Sequence, residues 1–278
     1  MNAKYRVFFL LFFVSIYSLP INSQTKINYG SNKGKYISID NTKIYYEEYG
    51  KGIPLLLLHG GLGSIADFQL VIHELSKHYH VIAADRPGHG RSEQADSLSY
   101  QLMADYTSKM IDIMKLDSVY VLGWSDGGTT ALILTLDRKD KVKKVLVSGA
   151  NISLSGLTQD AQNFLPYFTP EYVEKEMKEQ LTEYQSKSPQ KDKWKKFVND
   201  IQKLWMTKTI IPEEKLKLIT IPTTIVLGDH DGVALEHGIQ MFRLINKSSF
   251  CVLPATTHYV FNERPELINK IALEFFKK

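Results

Sequence analysis

Apolar and polar positions along the chain follow two rhythms that take turns. Residues 35–40 (KYISID) and 42–50 (TKIYYEEYG) are β-rich runs separated by a short polar turn, the pattern of an antiparallel hairpin. Residues 53–61 (IPLLLLHGG) are continuously apolar and close on glycines, as a strand buried on both faces would. Residues 64–78 then place apolar side chains at helical spacing, residues 79–85 (YHVIAAD) read as a strand, and residues 99–116 as a helix. The series continues with a strand over 118–124, a helix over 127–139 and a strand over 142–150. Such a βαβ series predicts an α/β fold, a mostly parallel, eight-stranded sheet with helices on both faces.

From about residue 153 to residue 212 the alternation stops. Runs such as 165–181 and 192–206 are amphipathic and helical, with no strand among them. The βα pattern resumes with a strand over 223–231, a helix over 234–245, a strand over 249–258 and a helix over 263–276. We therefore expect a core made of residues 35–152 and 213–278, and a helical cap over 153–212 inserted between two sheet strands. A long excursion of this kind is commonly functional, although a second packing layer would give the same pattern. Residues 1–24 stand apart. Lys4 and Arg6 precede an apolar run over 7–19 and then PINSQ, the order of a secretory signal. The run is short of the about 20 residues that a membrane span needs. The expectation is an exported chain, periplasmic or secreted, with no stable membrane span after signal cleavage. The alternative is an uncleaved N-terminal anchor.

Composition narrows the partners. With 44% hydrophobic and 23% charged residues, the 278-residue chain can bury a sizeable core. The net charge of +4 is mild and the two signs are interleaved, so nothing announces nucleic acid. The single cysteine, Cys251, lies in an apolar strand-like run and is expected to be buried and inert. No disulfide framework exists, which suits a bacterial exported protein better than a eukaryotic secreted one.

Ligands of open α/β sheets sit beyond the carboxyl ends of the strands. Those ends here carry His59-Gly60-Gly61, Asp85-Arg86-Pro87-Gly88, Gly123-Trp124-Ser125-Asp126, Gly228-Asp229-His230-Asp231 and, last, His258. Gly123-Trp124-Ser125-Asp126-Gly127 has the G-x-S-x-G spacing of a nucleophile elbow, between a buried strand and a helix. Its glycines remove side chains where strand and helix pack closely. A serine hydroxyl needs a base, and His258 is the histidine that follows the final strand. An acid must orient that base: Asp231 is favoured because it has left its strand, and Asp229 is the alternative. Two amides should hold a tetrahedral oxyanion, those of Asp126 and Gly61. His59 reads as a structural residue of the Gly61 loop. The Asp126 carboxylate would attract a cationic substrate, or would merely complement the helix dipole.

The motifs HGGLGS, DRPGHGRS, GWSDGG, GDHD and ATTHYVFNERPE occur in the order of the α/β-hydrolase superfamily, which residues 35–278 resemble. The resemblance implies a cap, and it favours Asp231, the last residue of a G-x-x-D pattern. Residues 122–132 (LGWSDGGTTAL) most resemble the valacyclovir hydrolase, or biphenyl-hydrolase-like, group. That resemblance implies an α-amino-acid ester as substrate and ammonium recognition at Asp126. Trp124, Phe164, Tyr167 and Trp205, with Phe168 and Met206, are candidates for lining the substrate pocket; for the five between 164 and 206 the alternative is the core of the cap.

Rival chemistries fail on spacing. His73 and His78 are five residues apart and diverge by about 140° around a helix, so they cannot share a metal. The run GGLGS lacks the Lys-Ser/Thr ending of a phosphate loop, and no G-x-G-x-x-G follows a strand. The reading is therefore a serine hydrolase that needs no cofactor or metal and acts on a small-molecule carboxylic ester, an α-amino-acid ester, amide or lactone among them. A C–C bond hydrolase of the meta-cleavage-product type and a non-catalytic ligand-binding member of the fold are the alternatives.

Overall fold

The computed structural model describes residues 25–277. The expected signal therefore lies outside the described residues. An eight-stranded sheet runs in the order β1-β2-β4-β3-β5-β6-β7-β8. β1 (Lys35–Ile39) and β2 (Thr42–Tyr49) form the expected hairpin, and β2 also pairs antiparallel with β4 (His80–Ala84). From β4 onward through β3 (Pro54–Leu58), β5 (Val119–Trp124), β6 (Val142–Ser148), β7 (Thr223–Gly228) and β8 (Ser248–Leu253), every pairing is parallel. Their apolar runs are continuous because both faces are covered.

The residues of 64–78 depart from the single helix that their spacing predicts. A 3-10 turn over Ile65–Phe68, capped by Ser64 and Asp67, is followed by a separate short helix α1 (Ile72–Leu75). The Gln69 carbonyl between them accepts the amide of Ile27 from the N-terminal arm, so the helical ladder is interrupted there. α1 and α11 (Pro265–Lys277) cover one face of the sheet, with Phe68, Ile72, Ile268 and Phe276 buried against β3 and β4. α2 (Tyr100–Ile113), α3 (Asp126–Asp137) and α9 (Leu235–Leu244) cover the other. Between β6 and β7 the chain forms α4 (Gln159–Phe164), α5 (Pro170–Glu176), α6 (Lys178–Lys187), α7 (Trp194–Trp205) and α8 (Glu213–Leu216). α7 turns Trp194, Phe197, Val198, Ile201 and Leu204 inward, a 3–4 spacing that continues the core of the α2–α3 face.

β8 ends at Leu253, earlier than the alternation over 249–258 suggests. Pro254 follows, Ala255 takes a φ of 48°, and the chain turns before α10 (Val260–Glu263). β8 is also an edge strand, so Cys251 is only half-buried, where a buried thiol was expected. Partial burial nonetheless pushes that thiol up from its ordinary range.

Candidate active site

The site is built where β5 meets α3. Ser125 takes φ 54° and ψ −122°, a region that non-glycine residues avoid and that costs on the order of 1–3 kcal/mol. Its neighbours hold it there. The Ser125 amide donates to the Ser148 carbonyl of β6 at 2.7 Å, and the Ser125 carbonyl accepts the Thr129 amide at 3.0 Å. The flanking glycines are explained by close approach: a Cβ on Gly127 would come within 1.9 Å of the Leu58 carbonyl oxygen, and one on Gly123 within 2.4 Å of the Gly127 oxygen. No side chain fits between strand and helix, and the serine is left at the exposed end of the turn.

Ser125 Oγ lies 2.8 Å from His258 Nε2, and His258 Nδ1 lies 2.7 Å from Asp231 Oδ1. A carboxylate only accepts, so Nδ1 carries the proton, and Nε2 is the acceptor for the serine hydroxyl. The imidazole feels opposed influences. Burial disfavours its cation, but the Asp231 carboxylate, by charge and by hydrogen bond, and the Asp126 charge together outweigh burial and raise its pKa above the ordinary range. Asp231 Oδ1 also accepts the Val233 amide at 2.9 Å, which fixes the carboxylate in the loop after β7.

Asp229 does other work. It accepts the amides of Ala255 and Thr256, each at 2.9 Å, and so ties down the turn that leads to His258. Those amides and His230 hold its carboxyl down at about 2. Glu263 accepts both the amide and the hydroxyl of Thr257 at 2.7 Å. The histidine is thus presented by a loop braced on both sides.

Not every residue expected at a substrate wall stands at one. Trp124 is 6% exposed and faces inward: its indole N–H donates to the His258 carbonyl at 2.8 Å, with its ring 5.6 Å from the imidazole. It packs with Leu122 and Phe261 in the core on that face of the sheet and supports the histidine loop through this hydrogen bond. Phe164 packs on Phe168 and Tyr172 among the helices before β7. Tyr167 is 67% exposed and so walls no enclosed site; Met206, 42% exposed, is also largely solvent-facing. Trp205 does reach the cluster. Its indole N–H donates to Asp126 Oδ2 at 2.9 Å.

The loop after β3 closes the opposite side. His59 is fully buried; its Nδ1 donates to the Gly60 carbonyl at 2.8 Å, and its Nε2 accepts the Arg86 amide at 3.0 Å. Arg86 Nη2 donates to the same Gly60 carbonyl at 2.7 Å. Burial and the neighbouring Arg86 charge push His59 well below its ordinary pKa, so it stays neutral and structural. Gly61 lies against Asp126 and Trp205: a Cβ there would come within 2.4 Å of Asp126 Oδ2. Asp126 opens α3, where the first amides of a helix have no intrahelical acceptor. Sequence reasoning missed Tyr100, whose hydroxyl donates to Asp126 Oδ1 at 2.8 Å. It lies 26 residues before its partner at the start of another helix, and no local pattern marks it. Among the described residues no cluster of His, Cys, Asp and Glu could hold a metal ion, and no helix is long and apolar enough to cross a membrane.

Known proteins share this architecture. The family model described as the alpha/beta hydrolase fold matches residues 53–183. An uncharacterized hydrolase of Bacillus subtilis (strain 168) is 28% identical over 264 residues, spanning 86% of this chain and 96% of its own length. The serine hydrolase BPHL of Mus musculus is 25% identical over 252 residues, spanning 87% of this chain and 85% of its own. A solved meta-cleavage product hydrolase from Pseudomonas fluorescens IP01 superposes with a TM-score of 0.73 at 22% identity, over 88% of this chain and 97% of that one. At that identity the likeness concerns fold alone. With the sheet order, the helices on both faces and these matches, the chain has the α/β-hydrolase fold, and over residues 53–183 it matches that family's model.

Proposed function

We propose that this hydrolase cleaves a small carboxylic ester through an acyl-enzyme on Ser125. The observation that carries the reading is the continuous hydrogen-bonded line from Ser125 through His258 to Asp231, with distances of 2.8 and 2.7 Å. His258 Nε2 takes the Ser125 proton as Oγ attacks the substrate carbonyl. Asp231 keeps the proton on Nδ1 and stabilises the imidazolium that forms. The amides of Asp126 and Gly61 receive the charge of the tetrahedral oxyanion. The intermediate collapses when the imidazolium gives its proton to the leaving alcohol. The acid remains on Ser125 as an ester. A water molecule, deprotonated by His258, then releases it and restores the serine.

The helices between β6 and β7, residues 153–212, are read as the cap over this centre, since Trp205 reaches Asp126 from there. Residues 1–24 are read as the export signal of the same protein. A substrate carboxylate near Ser125 would meet the Asp126 charge. The buried Arg86 offsets part of that charge, because its guanidinium donates to neutral acceptors, the Gly60 carbonyl and the Met103 sulfur, and so keeps its own charge beside Asp126. The test is hydrolysis of short p-nitrophenyl esters by the protein and by its Ser125→Ala variant. A fall in turnover of at least about 10³-fold supports the reading, and retained turnover refutes it.

A further inference from the structure

Asp126 is 3% exposed, directly follows the nucleophile, and has a hydrogen bond on each carboxylate oxygen. The two donors come from different parts of the fold. Tyr100 opens α2 in the core, and Trp205 closes α7 in the helices between β6 and β7. Gly61 shuts a third side, where a Cβ would come within 2.4 Å of Oδ2 and 2.7 Å of the indole ring. The Trp205 ring in turn stands 4.8 Å from that of Phe168, which is 1% exposed. Tyr100 and Leu204, the neighbour of Trp205, also line a surface cleft with Leu98, Ile133 and Thr207. Of the hydrogen-bonded trio, Tyr100 thus also faces that cleft, while Asp126 adjoins Ser125.

We propose that the Trp205–Asp126 hydrogen bond is a latch that holds the helical block closed over Ser125 and, by occupying the carboxylate, makes the site select neutral esters over ammonium-bearing ones. The inference rests on the reading of Ser125 as nucleophile. The physical argument is competition for one acceptor. A carboxylate beside a nucleophile would ordinarily recruit a cation. Here the neutral N–H of Trp205 and the O–H of Tyr100 already take its two oxygens, the Gly61 backbone packs close beside Oδ2, and the buried Arg86 charge offsets part of the carboxylate's own. An ammonium could reach Oδ2 only by displacing the indole, which would open the latch and cost the Trp205 N–H its partner in a partly buried setting. A neutral acyl or alkoxy group leaves the latch closed. Trp205 is thus a positioning residue, acting on the substrate through Asp126.

The experiment compares kcat/KM for two esters of matched size, one bearing an α-ammonium and one with a methyl in its place, in the wild-type protein and in Trp205→Phe. Phenylalanine keeps an aromatic ring against Phe168 and removes the donor. Wild type should prefer the neutral ester, and Trp205→Phe should move the ratio toward the ammonium ester by about tenfold or more, because Oδ2 is released. A purely structural Trp205 would lower both rates together and leave the ratio unchanged, which would overturn the proposal. A wild-type preference for the ammonium ester would overturn it as well. Should Trp205→Phe fail to fold, Asp126→Asn decides. The latch predicts that the ratio stays within about twofold while both rates fall, whereas selective loss of the ammonium ester shows that Asp126 reads the cation and overturns the proposal. Ser125→Ala run alongside separates the two claims: loss of both activities sustains the nucleophile whatever the ratios show.

Discussion

His258 Nδ1 donates to Asp231 Oδ1 at 2.7 Å across the ends of two neighbouring strands, while the acid two residues earlier, Asp229, is spent on backbone amides of the histidine loop. Two carboxylates in one short turn thus take different tasks. Their variants should separate accordingly. Asp231→Asn should reduce kcat by up to about 10⁴-fold, because an amide lets the imidazole settle in the wrong tautomer. Its melting temperature should change little. Asp229→Asn should show the reverse balance: a lower melting temperature, and a much smaller loss of kcat from a loosened loop. Steady-state kinetics with calorimetry on both variants checks this.

The pH profile follows from His258. On the proposed mechanism it is neutral when it accepts the serine proton, and its pKa lies above the ordinary imidazole value because the Asp231 and Asp126 charges outweigh burial. kcat/KM should therefore rise with pH through an inflection above about 6.5. Asp126→Asn removes one of the two charges and should lower that inflection. A rate profile over pH 5–9 on both proteins reads it.

Gly127 tests the packing argument for the elbow. A methyl there would have to enter the 1.9 Å gap to the Leu58 carbonyl, which is backbone and cannot swing away. Gly127→Ala should destabilise the fold by about 3 kcal/mol, at the upper end of overpacking costs, as read from urea denaturation. A stable variant of wild-type activity would show that the glycine spacing has another cause.

Asp67 gives a stability prediction. Burial, the largest influence, pushes its carboxyl up to about 7, against the Ser64 amide that favours the charge. Unfolded, the group ionises near its ordinary value of about 3.9. Between those values the native state holds a proton that the unfolded state has lost, so stability is highest below about pH 4 with respect to this group and falls as pH rises toward 7. Asp67→Asn should flatten that fall, measured as the urea midpoint at pH 5 and pH 8.

The sheet and the three principal side chains were legible because each leaves a local mark. Buried parallel strands are continuous apolar runs, Ser125 sits in a glycine-spaced turn, and Asp231 and His258 follow strands in a fixed order. Other features depend on distant partners. The 64–78 segment keeps a helical spacing of apolar residues, yet the Ile27 amide takes the Gln69 carbonyl and splits it. Trp124 looked like a pocket residue from its place beside the serine, but it is buried and donates to the His258 carbonyl, 134 residues away. Tyr100 and Trp205 meet on Asp126 from 26 and 79 residues away, and nothing in either neighbourhood forecasts the meeting.

The most direct measurement is the intact mass of the protein after reaction with a fluorophosphonate, followed by peptide mapping. The account predicts one adduct per chain, on the peptide that carries Ser125, lost in Ser125→Ala and slowed by several orders of magnitude in His258→Ala. An adduct on another residue, or none while ester hydrolysis continues, would contradict it.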